Sequence, residues 1–156
     1  MQNEIISCSA WKGIKQRRRP PTAFERRRHE RSKKMAKFIK PVSLSVGYIW
    51  HSPKKRSVQT AQLLGEAIKV QNRMLERQGI SPNDDVGKLA SEISSAEQEI
   101  MLVGHLPFLS KLASKLLCGS ESANTISFKN AGIVCLERTE VENWQVNWTV
   151  IPELVA

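Results

Sequence analysis

Two short apolar runs, each followed at once by a helical pattern, constrain the fold of this chain most strongly. The first is VGYIW at residues 46–50, and the second is EIMLV at residues 99–103. Continuous apolar runs of this length are typical of strands that are buried on both faces, as in parallel sheets. Because the strands alternate with helices, we predict an α/β domain: a three-layer sandwich whose largely parallel central sheet has helices on both faces.

Apolar spacing of three and four residues predicts the helices between these strands. We expect one helix over about 54–70, with Ser52 as its N-cap and Pro53 at its first helical position. A second helix should begin after Asn83 or Asp84, and a third should follow Pro107 and stop at Gly119. Two β-rich segments, residues 132–137 and 144–151, complete the pattern.

Length and composition exclude several classes of protein. A chain of 156 residues suits one domain, and its longest apolar runs are far shorter than the ~20 residues of a membrane helix. Three scattered cysteines form no paired metal-binding spacing, and the N-terminus has no secretory signal pattern. We therefore expect a cytoplasmic protein with no metal, no cofactor and no membrane partner.

The positive charge is concentrated at one end of the chain. Residues 1–40 hold 13 Lys and Arg and 3 Glu, a net charge of +10, whereas the remaining residues have a net charge of −1. Arginine runs at 17–19 and 26–28 are typical of a disordered tail or of an arm that binds nucleic acid. Aromatic residues for base stacking are few there, so disorder is favoured and a nucleic-acid partner is not expected.

Polar residues follow both strands at the edge of the sheet where α/β proteins bind their ligands. Ser52 and Arg56 lie in and near the start of the first helix, and His105 follows the second strand in Gly104-His105-Leu106-Pro107. Helix N-termini and guanidinium groups bind phosphate. Taken singly, a basic first helical turn usually has no specific function, and a histidine directly after a strand more often has a structural role.

As a pair, these two stretches resemble the motifs of one family. SPKKRSVQTA at residues 52–61 resembles the S-P-x-x-R-x-x-Q-T-A stretch of the histidine phosphatase superfamily, and GHLP at 104–107 resembles its later G-H-x-P element. The short, SixA-type phosphohistidine phosphatases of this phosphoglycerate mutase-like group are the most similar, and the resemblance covers about 35–155.

The resemblance implies a substrate and roles for particular residues. Family members remove phosphate from phosphohistidine on a protein, or from a small phosphoester, without a metal or cofactor, through a phosphorylated histidine nucleophile. Arg56 matches the second arginine that binds the phosphoryl group, His105 matches the second histidine, and Ser52 belongs to the same site. Asp84 or Asp85 is a weak candidate for the acid that protonates the leaving group.

The nucleophile of the family is missing from the sequence. It should lie in an Arg-His-Gly triplet after an N-terminal strand, but the chain has no such triplet, and His29 lies within an arginine run. We therefore expect the chain as written to be inactive. The alternative from another class is a non-catalytic phosphate- or nucleic-acid-binding protein that uses its basic N-terminal arm.

The genetic code suggests why the nucleophile is missing. Codons for residues 3–12, when they are translated one base later, permit Met-Lys-Leu-Tyr-Leu-Val, then Arg or Gln, then His-Gly. This resembles the first strand and nucleophile of the family. We therefore divide the chain into an aberrant basic segment at 1–34, disordered or out of frame, and a histidine phosphatase-like α/β domain at 35–156.

Overall fold

The computed structural model describes residues 19–141 and 143–155, and expectations for residues 1–18 lie outside that part. Its helices are α1 (Ala23–Ile39), α2 (Lys55–Ala67), α3 (Gly87–Ser95) and α4 (Phe108–Cys118). Its strands are β1 (Ser45–His51), β2 (Lys69–Glu76), β3 (Ile100–Val103), β4 (Ile133–Arg138) and β5 (Trp144–Val150). None of the helices in this part of the chain has the length and apolar character that a membrane span needs.

The central sheet confirms the predicted α/β architecture. Strand β1 lies in its middle and pairs in parallel with β2 on one side and β3 on the other. Strands β4 and β5 form a separate antiparallel pair. The sheet is therefore parallel where it carries the ends of β1 and β3, which places the residues that follow these two strands at the same edge.

Two apolar cores lie on opposite faces of the central sheet. Because successive strand residues point to opposite faces, Ile49 packs against the core that includes Ala36 of α1 and Leu64 of α2. The next residue, Trp50, lies on the reverse face of the same strand and packs with Leu89 of α3 and Phe108 of α4.

 The helices therefore cover both faces of the sheet, and the three-layer sandwich is confirmed.

Strand β2 is absent from the sequence-based prediction, which placed a longer helix over 54–70. Helix α2 ends at Ala67, and β2 begins at Lys69 after a single connecting residue. The strand lies at the edge of the central sheet, and its residues are mostly exposed or half-buried. Polar residues are tolerated at such an edge, so neither an apolar run nor a strict alternation marked it in the sequence.

Helix α1 differs from the expectation of disorder up to residue 34. Its N-cap is Thr22, whose hydroxyl accepts from the backbone N–H of Glu25 at 3.2 Å, while the Glu25 carboxylate accepts from the N–H of Thr22 at 2.7 Å. This capping box satisfies two N–H groups that the helix itself cannot. Ser32, Met35 and Ile39 are buried. Within the described residues, a packed helix is therefore already present from Ala23, ahead of residue 35.

Two of the predicted helix starts are wrong by a few residues. Helix α2 begins at Lys55 with Lys54 at its N-cap, so Ser52 is not the cap and Pro53 precedes the helix. Helix α3 begins at Gly87 because Asp84 is used in the preceding turn, where its carboxylate accepts from the N–H of Ser81 at 2.7 Å. The predicted stop of α4 is confirmed, since Gly119 follows the helix in the left-handed conformation.

Candidate functional site

Ser52, Arg56 and His105 meet where β1 and β3 end. The backbone N–H of Ser52 donates to the carbonyl of Val103 at 3.1 Å, which joins the two strand ends. The Ser52 hydroxyl lies 2.9 Å from Nε2 of His105, and Nε of Arg56 donates to Nδ1 of the same ring at 3.1 Å. Side chains from two separate motifs, about fifty residues apart, therefore form one hydrogen-bonded cluster.

A further side chain of the cluster, Ser57, was not singled out in the sequence. Its hydroxyl lies 3.2 Å from Nε2 of His105, so two hydroxyls share this ring nitrogen. Ser57, Ala61 and Leu64 are the buried residues of α2. Their spacing of four and three residues places Ser57 on the inward face of the helix, and this periodicity could have identified it.

These contacts define which nitrogen of His105 bears the proton. Because the N–H of Arg56 donates to Nδ1, that nitrogen must be an acceptor. The ring is then neutral with its proton on Nε2, from which it can donate to the hydroxyl of Ser52 or Ser57. Burial, the nearby charge of Arg56 and that of Lys54 lower the pKa of His105 to about 4. The neutral form therefore prevails near neutral pH.

The cluster is recessed and has cations at its rim. Ser52 is fully buried and His105 is 6% exposed, whereas Lys54, Lys55 and Arg56 are exposed. The first turn of α2 contains no acidic residue, and its free N–H groups add partial positive charge. Positive charge above a recessed pair of hydroxyls and an imidazole suits an oxyanion such as phosphate.

A second histidine lies beside the cluster. His51 is the last residue of β1 and is 8% exposed. Its Nδ1 lies 3.1 Å from the carbonyl of Ser52, a contact that orients the ring. The sequence assigned no role to His51, since an isolated histidine gives no indication of its partners.

The remaining candidate residues do not join the cluster. Asp84 hydrogen-bonds to Ser81, and Asp85 accepts from the N–H of Gly87 at 3.2 Å, so both carboxylates serve the turn before α3. His29 lies in α1 and not at a strand end. Within the described residues, no group of three or more His, Cys, Asp or Glu side chains is placed to hold a metal ion.

Comparison with known proteins identifies the fold through structure and not through sequence. No family model and no curated protein matches the chain. Among solved structures, the protein histidine phosphatase SixA complexed with tungstate matches with a TM-score of 0.69 and 21% identity, over 92% of this chain and 90% of that chain.

Two further solved structures point to the same group. A protein assigned as the phosphohistidine phosphatase SixA from Agrobacterium tumefaciens matches with a TM-score of 0.63 and 16% identity, over 78% of this chain and 82% of that chain. A protein with the same assignment from Nakamurella multipartita has a TM-score of 0.63 and 14% identity, over 91% of this chain and 90% of that chain. With its parallel sheet between helices, the chain has the fold of the SixA-type histidine phosphatases.

Proposed function

We propose that this protein binds the phosphoryl group of a phosphohistidine on a partner protein, or of a small phosphoester, in the cluster of Ser52, Arg56 and His105. The observation that supports this most is the direct hydrogen bond of 3.1 Å between Arg56 and His105 at the meeting point of two strand ends. A protein of the same fold is known in complex with tungstate, which is a tetrahedral oxyanion like phosphate.

Binding of a phosphoryl group would change the partners of Arg56 and His105. The Arg56 guanidinium is the stronger donor for an oxyanion, since it can make two parallel hydrogen bonds to adjacent oxygens. Once Arg56 turns to the anion, Nδ1 of His105 loses its donor and can take up a proton. The protonated ring then donates to a second oxygen, so we expect binding of a phosphoryl dianion to be accompanied by proton uptake.

Turnover requires a nucleophile that this sequence does not contain. In the proposed reaction class, a histidine nitrogen bonds to phosphorus while the bond to the leaving group breaks, and water then releases phosphate and regenerates the histidine. Arg56 and His105 would stabilise the charge on the transferring oxygens. The chain has no Arg-His-Gly triplet to supply the attacking nitrogen. We therefore propose that the chain as written binds the phosphoryl group without turnover.

The test of this proposal compares two versions of the chain. The first is the chain as written, and the second has residues 3–11 replaced by Met-Lys-Leu-Tyr-Leu-Val-Arg-His-Gly. We expect both to bind tungstate and only the second to hydrolyse phosphohistidine, with an acid-labile phosphoenzyme. Arg56→Ala or His105→Ala in the second version should abolish hydrolysis. Vanadate-sensitive turnover by the chain as written would refute the proposed inactivity.

We also propose a cytoplasmic location and a place in phosphotransfer signalling. Cys118 and Cys135 are free thiols, as is usual in a reducing compartment. Fractionation of cells that express a tagged chain tests the location. Recovery of the protein with its cysteines in disulfides, from an oxidising compartment, would contradict it.

A further inference from the structure

Helix α1 runs in the same direction as α2, so both N-termini lie at the edge of the sheet that holds the cluster. Residues 40–44 connect α1 to the start of β1, and residues 52–54 connect the end of β1 to α2. Connections this short make each helix antiparallel to β1. The hydroxyls of Ser32 in α1 and Thr60 in α2 lie 3.3 Å apart, which fixes how the two helices align.

This alignment places the turns of α1 that carry its arginine run level with the start of α2. Arg28 precedes Ser32 by four residues, and Arg56 precedes Thr60 by four residues. Both arginines therefore lie about 6 Å, or one turn, from the Ser32–Thr60 contact, toward the N-terminus of their helix. Helix α1 continues for roughly 9 Å beyond Arg28 to its cap at Thr22, whereas α2 begins only one residue before Arg56. The first turns of α1 therefore extend past the first residue of α2 in the direction of the helix N-termini.

Positive charge continues from the cluster onto these turns. Arg26 and Arg27 are exposed, and Arg28 lies over the ring of Phe24 at 5.7 Å. The Arg26 guanidinium donates to the carbonyl of Pro21 at 2.6 Å, which leaves its charge in place. In the described part of the chain, the ion pairs made by α1 join Glu25 to Arg19, Glu30 to Lys33 and Arg31 to Glu153, and none of them engages Arg26, Arg27 or Arg28. The Glu25 carboxylate lies near enough to Arg28 for their charges to interact.

We propose that Arg26, Arg27 and Arg28 form a docking surface for the acidic flank of a phosphorylated protein segment whose phosphoryl group enters the cluster of Ser52, Arg56 and His105. This proposal rests on the proposed function and adds a substrate preference to it. Carboxylates beside the phosphorylated residue would meet the arginines of α1 on one side and Lys54 and Lys55 on the other.

The geometry favours a protein segment over a nucleic acid. Lys54, Lys55 and Arg56 lie at the start of α2 beside one recessed site. Leu106, the neighbour of His105 in the chain, is 42% exposed, which offers an apolar contact that a phosphate backbone would not use. Phe24, the exposed aromatic residue of these turns, already packs against Arg28. A groove that binds single strands would instead present aromatic side chains for stacking successive bases.

The experiment measures binding of two peptides to the full chain. Both contain a non-hydrolysable phosphohistidine analogue. One is flanked by Asp and Glu, and the other by Ser and Gln. At low ionic strength we expect the acidic peptide to bind about tenfold more tightly, and we expect the difference to shrink with added salt.

Matched variants locate the source of the difference. Replacing Arg26, Arg27 and Arg28 by Gln should remove the preference for the acidic peptide and leave the affinity for inorganic tungstate unchanged. The control variant replaces Lys34, Lys37 and Lys40, which lie in the C-terminal half of α1 and directly after it, by Gln and should keep the preference. Circular dichroism establishes that α1 still forms in both variants.

The outcomes separate this inference from the proposed function. If tungstate binds but the two peptides bind equally, the docking surface is refuted and the phosphate site stands. If tungstate does not bind, the proposed function itself fails. If the arginine variant instead loses steeply salt-dependent binding of duplex DNA or RNA, and the peptides bind equally, the surface serves a nucleic acid and the inference is overturned.

Discussion

At the scale of single residues, Arg56 is central because its planar guanidinium can leave His105 and bind two oxygens of a phosphoryl group. We predict that Arg56→Lys weakens tungstate binding by roughly 10- to 100-fold, since an ammonium group cannot make the paired hydrogen bonds. Lys55→Gln is the matched control, because Lys55 is exposed beside Arg56. Calorimetric titration measures both variants. Because Arg56→Lys keeps the net charge and Lys55→Gln does not, unchanged binding in Arg56→Lys beside weaker binding in Lys55→Gln would show that only net charge matters.

The two hydroxyls on His105 should contribute unequally to stability. Ser52 is fully buried, and besides His105 it accepts from the N–H of Lys54 at 3.4 Å. Its loss removes the acceptor of the Lys54 N–H and leaves Nε2 of His105 with only the longer contact to Ser57, so we predict that Ser52→Ala lowers the free energy of unfolding by about 1–3 kcal/mol. Ser57→Ala should cost less, because Nε2 of His105 keeps its shorter contact with Ser52. Urea denaturation compares the variants, and a larger loss for Ser57→Ala would contradict this assignment.

The titration of His105 makes the free energy of unfolding depend on pH. Its pKa in the folded protein is about 4, below the ordinary value of 6.5. The unfolded chain therefore binds more protons between these values, and this residue contributes stability that is present above pH 6.5 and is lost as the pH falls toward 4. We predict that His105→Gln flattens this part of the stability curve. An unchanged slope in the variant would contradict the assignment.

Anion binding should reverse the shift at His105. A bound phosphoryl analogue removes the Arg56 donor from Nδ1 and stabilises the protonated ring, so we predict that saturating tungstate raises the pKa of His105 above 4. Proton NMR of the imidazole ring measures this directly. If the pKa of His105 stays the same or falls with tungstate bound, the proposed exchange of partners is wrong.

The residues that meet in the site could be predicted only in part. Ser52, Arg56 and His105 were found because they lie in two recognisable motifs at strand ends. Ser57 contacts the same ring, yet it was missed because a serine on the inner face of a helix has no distinctive chemistry in the sequence. That Ser52 bonds to His105 instead of capping α2 depends on a residue fifty positions away, which local pattern cannot show.

At the scale of elements, α1 shows that a high density of basic residues can make a packed helix look disordered in the sequence. Eight Lys and Arg within residues 26–40 suggested disorder, but the buried face uses Ser32, Met35, Ala36 and Ile39, which are spaced by three, one and three residues. A stripe this narrow is enough to bury the helix against α2 while its basic residues remain in water. Edge strand β2 was missed for the related reason that its residues are mainly polar.

Packing of α1 can be tested by truncating its side chains. Met35 is 1% exposed, so we predict that Met35→Ala lowers the free energy of unfolding by about 2–5 kcal/mol through the cavity that it leaves. Phe38 lies beside the buried stripe and is 43% exposed, and Phe38→Ala should cost less than about 1 kcal/mol. Denaturation of the two variants side by side decides the point. Equal small losses would mean that α1 is not packed on the domain.

At the scale of the whole molecule, the fold could be predicted well because alternating strands and helices allow few arrangements. The parallel order of β1 and β3 follows from their apolar runs and the helices between them. The role of the basic segment could not be predicted, since the same arginines fit a docking surface or an out-of-frame translation. Sequencing the gene across codons 1–40 distinguishes these, and the frame hypothesis fails if the shifted frame does not encode His-Gly.

The most direct test of the central claim is calorimetric titration of tungstate into the chain as written, beside the variants Arg56→Ala and His105→Ala and the distant control Lys37→Gln. The account predicts saturable binding at a single site in the unmodified chain and in the control, and loss of that binding in the other two variants while their fold survives. Binding that persists without Arg56 and His105, or no binding in the unmodified chain, would contradict the assignment of this cluster as a phosphoryl-binding site.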